Sequence, residues 1–328
     1  MSTLEAEVPP TGPRGVAKAT PRGLGRFGDP VFRAVVRISA VIVAALVVAI
    51  LVALVLDSRA SLQAFGLHFL WSKTWDPTQH RFGALAAIYG TVVSTVIAMV
   101  VATPLALVIA LLLVELLPPS VSRVIGTAIE LLAAIPSIIY GMWGLFVLAP
   151  FMAAHVEPWL GTHLGFIPIF SGPPAGLGML TVGMILALMI LPFITAVARD
   201  VLRMVPAVIK EASYGMGSTT WEVTRKVSLR YGLQGVIGAV FLGLGRALGE
   251  TMAVAFVAGQ VMEVHAGWFW PMSTITSTVA NSFGEASDKL LLSTLIELGL
   301  ILFVITVIIQ LVAHFWLRRV RASVGVHL

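Results

Sequence analysis

Along most of this chain the apolar residues neither alternate nor recur at helical spacing. They run on for some twenty residues at a stretch, separated by short polar segments. A helix needs about 20 apolar residues to cross the hydrocarbon core of a bilayer. Six runs qualify, near 38–56, 84–113, 124–151, 179–198, 235–258 and 291–317. The alternating pattern of barrel strands is absent and lipid tolerates no open sheet edge, so the pattern predicts an all-α polytopic membrane protein with six transmembrane helices. Pro104, Pro136 and Pro192 fall inside these runs, where each removes a helix hydrogen bond and predicts a kink.

Composition strengthens that reading. Of the 328 residues, 58% are hydrophobic and 11% charged, against about 25% charged in a soluble domain. That excludes a cytosolic enzyme and, despite a net charge of +5, a nucleic-acid binder. With no cysteine there is no disulfide, thiolate metal site or cysteine nucleophile. The basic residues are unevenly placed. Sixteen fall in 1–37, Arg123, 199–230 and the C-terminal tail; four (Arg59, Lys73, Arg81, Lys289) lie on the other side; Arg246 alone lies within a run. Basic residues collect on the cytoplasmic side, which predicts both termini and the 199–230 loop in the cytoplasm.

The expected organisation is a disordered basic cytoplasmic tail over 1–37, rich in Pro and Gly, then a first membrane helix and outer loop over 38–83. A core over 84–317 and a cytoplasmic tail over 318–328 follow. The first helix reads as a retained signal-anchor, its apolar run being too long for a signal-peptide core. Trp71 and Trp75 in the outer loop read as interfacial anchors.

The segment 206–232, PAVIKEASYGMGSTTWEVTRKVSLRYG, is too patterned for a linker. Helix formers are interrupted by Gly215 and Gly217, and Ser218, Thr219 and Thr220 offer caps for a second short helix beginning near Trp221 and Glu222. It reads as helix, break, helix. One use of such a segment is to lie on the inner leaflet through Lys210, Arg225, Lys226 and Arg230. Another is a protruding helix pair that enters a cleft on a cytoplasmic partner.

Further on, GVIGAVFLGLGRALGETMAVAF places Arg246 and Glu250 inside an apolar run. Arginine at the centre of a membrane helix costs about 2.5–3.5 kcal/mol on insertion scales, so such charges mark function more often than packing. A spacing of four stacks Arg246 and Glu250 on one helix face, within reach of an ion pair. Gly245 and Gly249 share that spacing and predict a close helix crossing. The fork of Arg246 suits a passing oxyanion, with Glu250 neutralising it between cycles and Thr251 adding a hydroxyl.

Four strings carry a resemblance. Glu211-Ala212-Ser213, Gly217 and Val227-x-Leu229 keep every spacing of the EAA loop of bacterial ABC importer permeases, with Ser213 in place of the second alanine and Arg230 in place of the closing proline. GRALGET (245–251), AIPSIIYGMWG (134–144) and STITSTVANSFGEA (273–286) are similar to strings of the C-type permeases of phosphate-specific importers. The resemblance covers about residue 84 onwards. It implies a MetI-like permease core carrying inorganic phosphate across the bacterial cytoplasmic membrane. The partners it implies are a sister A-type permease, a dimeric cytoplasmic ATPase that binds ATP and Mg, and an extracytoplasmic phosphate-binding protein. It also implies that the EAA-type loop, with Glu211, Ala212, Gly217, Trp221 and Glu222 as its coupling residues, docks on the ATPase and passes its closure to the membrane helices, a use favoured over lying on the leaflet.

The chain has no P-loop signature and its seven histidines show no paired ligand spacing, so no cofactor, metal or enzymatic activity is expected in it. Two alternatives stay open: a permease for sulfate or molybdate, because an arginine fork does not choose among tetrahedral anions, and a proton-coupled carrier using a carboxylate such as Glu130, Glu250 or Glu297.

Overall fold

A computed structural model of the protein describes residues 25–286 and 288–324. The described residues are almost wholly helical, with two isolated bridges, Asp76 to Arg81 and Gly259 to Met272. In chain order the helices are α1 (Gly25–Asp57), α2 (Arg59–Phe65), α3 (Leu85–Leu116), α4 (Pro119–Ala133), α5 (Ser137–Leu164) and α6 (Met179–Arg203). There follow α7 (Ala207–Gly215), α8 (Thr220–Leu248), α9 (Met252–Val257), α10 (Ile275–Phe283) and α11 (Lys289–Val324). Six of them, α1, α3, α5, α6, α8 and α11, are long and apolar enough to cross a membrane.

Contacts divide the chain into a unit ending at Ala53 and one from Leu54 to Leu328. In the first, α1 begins at Gly25, so the part of the expected tail from 25 to 37 is helical, with Pro30 inside it; residues 1–24 lie outside the described residues. Its side chains from Asp29 to Ile50 are all exposed, an arrangement that hydrocarbon, unlike water, does not penalise.

The second unit is built on α6, the most deeply buried span, which α3 packs along and α4, α8 and α9 also meet. The α3 contact has a simple cause. Gly90, Ser94, Ala98, Ala102, Ala106 and Ala110 recur every fourth residue and are all buried. This small stripe lets the α6 backbone come close, so that Ile185, Met189, Ile190 and Ile194 of α6 are nearly or fully buried in the same cluster. Pro104 and Pro192 are carried inside continuous helices.

Pro136 acts differently. A proline disfavours helical backbone at the residue before it, and the chain stops at Ala133 and restarts at Ser137. The expected third span, 124–151, is therefore corrected to Ser137–Leu164, while α4 is a separate, amphipathic helix packed on α6. Close approach of α5 to its neighbours rests on Gly141 and Gly144. A Cβ on Gly141 would lie 2.9 Å from Ala253 Cα, and one on Gly144 2.8 Å from Ile185 Cδ1.

The loop after α1 belongs to the second unit. Phe69 and Phe82 are buried with Ile275, Leu295 and Leu298, and Trp75 meets Phe82 edge-on at 5.1 Å, whereas Trp71 stays exposed. In the same loop the Asp76 carboxylate accepts hydrogen bonds from the Thr78 hydroxyl at 2.7 Å and the Gln79 amide at 3.2 Å. These bonds hold it below the usual carboxylate range.

Candidate substrate path and coupling loop

The apolar run 235–258 is not one helix. α8 ends at Leu248, Gly249 to Thr251 leave the helical path, and α9 starts at Met252. Two local causes act together. Gly249 favours the helix little, and Glu250 turns its Oε1 to accept from the Ala253 amide at 3.3 Å, a donor that the new helix leaves unpaired.

The expected ion pair is consequently not formed. Arg246 lies in the last turn of α8 and is exposed, with its guanidinium 5.7 Å from the centre of the Phe193 ring. Among the described residues no carboxylate lies within ion-pair distance of it. Glu250 is half-buried in the break rather than one turn along the same face. The hydroxyl of Thr251 reaches back only to the Gly249 carbonyl, at 3.4 Å. The glycine seam is corrected likewise. A Cβ on Gly245 would lie 3.2 Å from Gln310 Nε2, where α8 meets α11, while Gly249 lies beyond the helix end, where among the described residues a Cβ would meet only the Gly245 carbonyl within 4 Å.

A broken helix frees backbone carbonyls, and in an apolar setting these must find donors. The Glu250 carbonyl accepts from the Thr276 hydroxyl at 2.6 Å. Thr276 belongs to α10, whose start is held by a reciprocal cap between Thr274 and Ser277 and by the Ile275 amide donating to Thr91 Oγ1 of α3 at 2.9 Å. Ser273, Thr274, Thr276, Ser277 and Thr278 are all buried. The hydroxyl-rich string and the arginine string thus meet in space. Sequence reasoning missed Thr91 and Thr276. Their only signal was a cluster of hydroxyls in an apolar setting. Tyr140 of the 134–144 string lies within electrostatic reach of Arg246, and its hydroxyl donates to the Leu132 carbonyl at 2.9 Å.

The other end of α8 carries the patterned loop. α7 runs Ala207–Gly215, and the chain turns at Gly217 with φ +86°, a backbone conformation open to glycine at little cost. Thr219 then caps α8: its Oγ1 accepts from the Glu222 amide at 3.3 Å, and the Glu222 carboxylate accepts from the Thr219 amide at 3.1 Å. The second helix is not short, since it continues through a π turn at Thr224–Ser228 into α8. Ser213, at the family's second alanine, is buried and donates to Ser218 Oγ at 3.1 Å. Glu211, Ala212 and Trp221 are exposed and Glu222 is half-buried.

Carboxylates set aside as proton sites are placed otherwise. Glu130 binds Arg199 at 2.5 Å, and Arg199 also binds Asp200 at 2.9 Å. Arg199 is buried because Gly126 of α4 has no side chain there; a Cβ would fall on its guanidinium. Glu297 is buried in α11 beside Ser61 of α2. Among the described residues no group of His, Cys, Asp and Glu is arranged to hold a metal.

Residues 81–322 match the family described as binding-protein-dependent transport system inner membrane component. The chain belongs to this family. It is 48% identical, over 99% of its length and 100% of the relative's, to the phosphate transport system permease protein PstC of Mesorhizobium japonicum. It is 47% identical, over 90% of its length and 93% of the relative's, to the protein of that name from Pasteurella multocida. Among solved structures, a chain of a bacterial alginate ABC transporter aligns with a TM-score of 0.60, covering 90% of this chain and 98% of that one at 14% identity, a likeness of fold.

Proposed function

We propose that this chain is the transmembrane permease subunit of an ATP-driven importer of inorganic phosphate. The observation that carries the reading is the placement of Arg246. It is an exposed guanidinium at a helix break, facing an aromatic ring rather than a carboxylate, in a chain 48% identical along its length to a phosphate permease.

In this reading the planar donors of Arg246 meet two oxygens of a passing phosphate, the geometry in which arginine binds oxyanions best. Glu250, held to the start of α9, repels the anion from the side and keeps its dwell short, and Thr251 supplies a hydroxyl. The work this reading asks of these residues is positioning and passage. ATP and Mg belong to a separate cytoplasmic ATPase dimer, which the exposed face around Glu211, Ala212, Gly217, Trp221 and Glu222 engages. A sister A-type permease completes the path across a heterodimer interface, and an extracytoplasmic phosphate-binding protein delivers the anion. The charge asymmetry supports an orientation with both termini and the 206–230 loop in the cytoplasm of a bacterial cell.

The test is uptake of labelled phosphate by proteoliposomes holding this chain with those partners, with and without internal ATP. ATP-dependent uptake that sulfate and molybdate do not compete away is the expected result. Flux by the purified chain alone that follows a proton gradient would overturn it.

A further inference from the structure

Several polar contacts join the C-terminal ends of α3 and α6 to their neighbours, and one of them reaches the coupling loop. Lys210 of α7 donates to Glu115 of α3 at 2.7 Å, with side chains 18% and 6% exposed. The other contacts, Arg203 to Ser122 at 3.2 Å, Ser122 to the Leu113 carbonyl at 2.6 Å and Arg199 to Glu130, stay among α3, α4 and α6. By chain connection α7 is tied only to α6 and α8. The lysine adds a third tie, to a helix 95 residues away in sequence.

The local geometry favours a firm contact. Glu115 sits in a π turn, Leu112–Leu116, and Pro118 and Pro119 end the helix just beyond it. A pair so withdrawn from water is weakly screened, and an N–O contact of 2.7 Å leaves little slack before it breaks. α3 in turn runs back to Thr91, which accepts from the Ile275 amide. Thr276, the next residue, holds the Glu250 carbonyl at the helix break beside Arg246. A run of contacts therefore leads from the coupling loop through α3 to the helix break.

We propose that the Glu115–Lys210 ion pair is a strut that passes movement of α7 into α3, making both positioning residues for transport. This rests on the reading that the loop docks on an ATPase. It does not follow from the docking alone, which needs only the covalent ties to α6 and α8.

The test uses the full complex in proteoliposomes and measures phosphate uptake and ATP hydrolysis in the same vesicles for Glu115→Gln, Lys210→Gln and the exchange Glu115→Lys with Lys210→Glu. Each single change is expected to lower phosphate moved per ATP by about tenfold, within the usual range of coupling between sites, while hydrolysis persists. The exchange is expected to return the ratio to within about twofold of the unaltered complex. A lost contact that only loosened packing would not be restored by reversed charges. An unchanged ratio in the singles, or an exchange as poor as they are, overturns the proposal. Where the singles fail to assemble, the exchange decides by the same criterion. Failure of the docking reading looks different: the ATPase would not co-purify with the unaltered chain.

Discussion

At Arg246 a cation ends an apolar helix with an aromatic face, 5.7 Å away, in place of a counter-ion. Such a group keeps its donors for a ligand. Replacing it by Gln removes charge-assisted hydrogen bonds, each of about 1.5–3 kcal/mol, so phosphate uptake is expected to fall by about ten- to a hundredfold with the complex still assembled. Unchanged flux in the proteoliposome assay would remove Arg246 from the path. Thr276 makes a different contribution, since its hydroxyl answers the Glu250 carbonyl that the helix break leaves open. Thr276→Val is isosteric but removes the donor. The expected loss is about 1–3 kcal/mol of stability, read as a lowered melting temperature of the purified protein. Neither role follows from the residue type alone. Arginine beside glutamate at a spacing of four reads as a pair, and only the end of α8 at Leu248 separates them.

Among the helices, the contact of α3 with α6 rests on small residues at every fourth position. Ala102 and Ala106 are fully buried in it. Ala102→Leu adds volume where neither backbone can retreat, and is expected to destabilise the protein by about 1–3 kcal/mol. The same change at exposed Val100 is expected to do little, and comparing the two melting temperatures checks the claim. The stripe was present in the sequence but hidden by the apolar run around it, because a stretch with apolar residues on all sides has no preferred face. The segment 206–232 was the opposite case. A glycine with φ +86° and a threonine capping its helix through Glu222 are local devices, and local devices can be read from a string of residues.

For the molecule as a whole, the distribution of basic residues supports one orientation in the membrane. The absence of native cysteine makes this simple to test with single introduced thiols. A cysteine at exposed Thr220 is expected to react with an impermeant maleimide only when the reagent reaches the cytoplasmic side, and one at exposed Ala175 only from outside. The reverse pattern would invert the proposed direction of coupling. The number of spans does not depend on that outcome, since six helices meet the length and hydropathy required.

The sequence by itself determined that the chain is an all-helical membrane protein with six spans, and it located the helix, break and helix of 206–232. Both follow from short-range physics: the length of an apolar run measured against the bilayer, and the chemistry of caps and turns. Pro136, Gly249 and Glu250 supply local reasons for two of the spans to end, and only the tertiary structure decided that those reasons prevail. Pro136 divides α4 from α5 instead of bending one helix, and α8 stops before Glu250 instead of carrying it past Arg246. Those choices depend on whether freed carbonyls and buried charges find partners far away in the chain. Thr276 for the Glu250 carbonyl, Gly126 making room for Arg199, and Lys210 for Glu115 are partners that the fold brings together. No local pattern encodes them, because each pairing gains its energy only after the helices have packed.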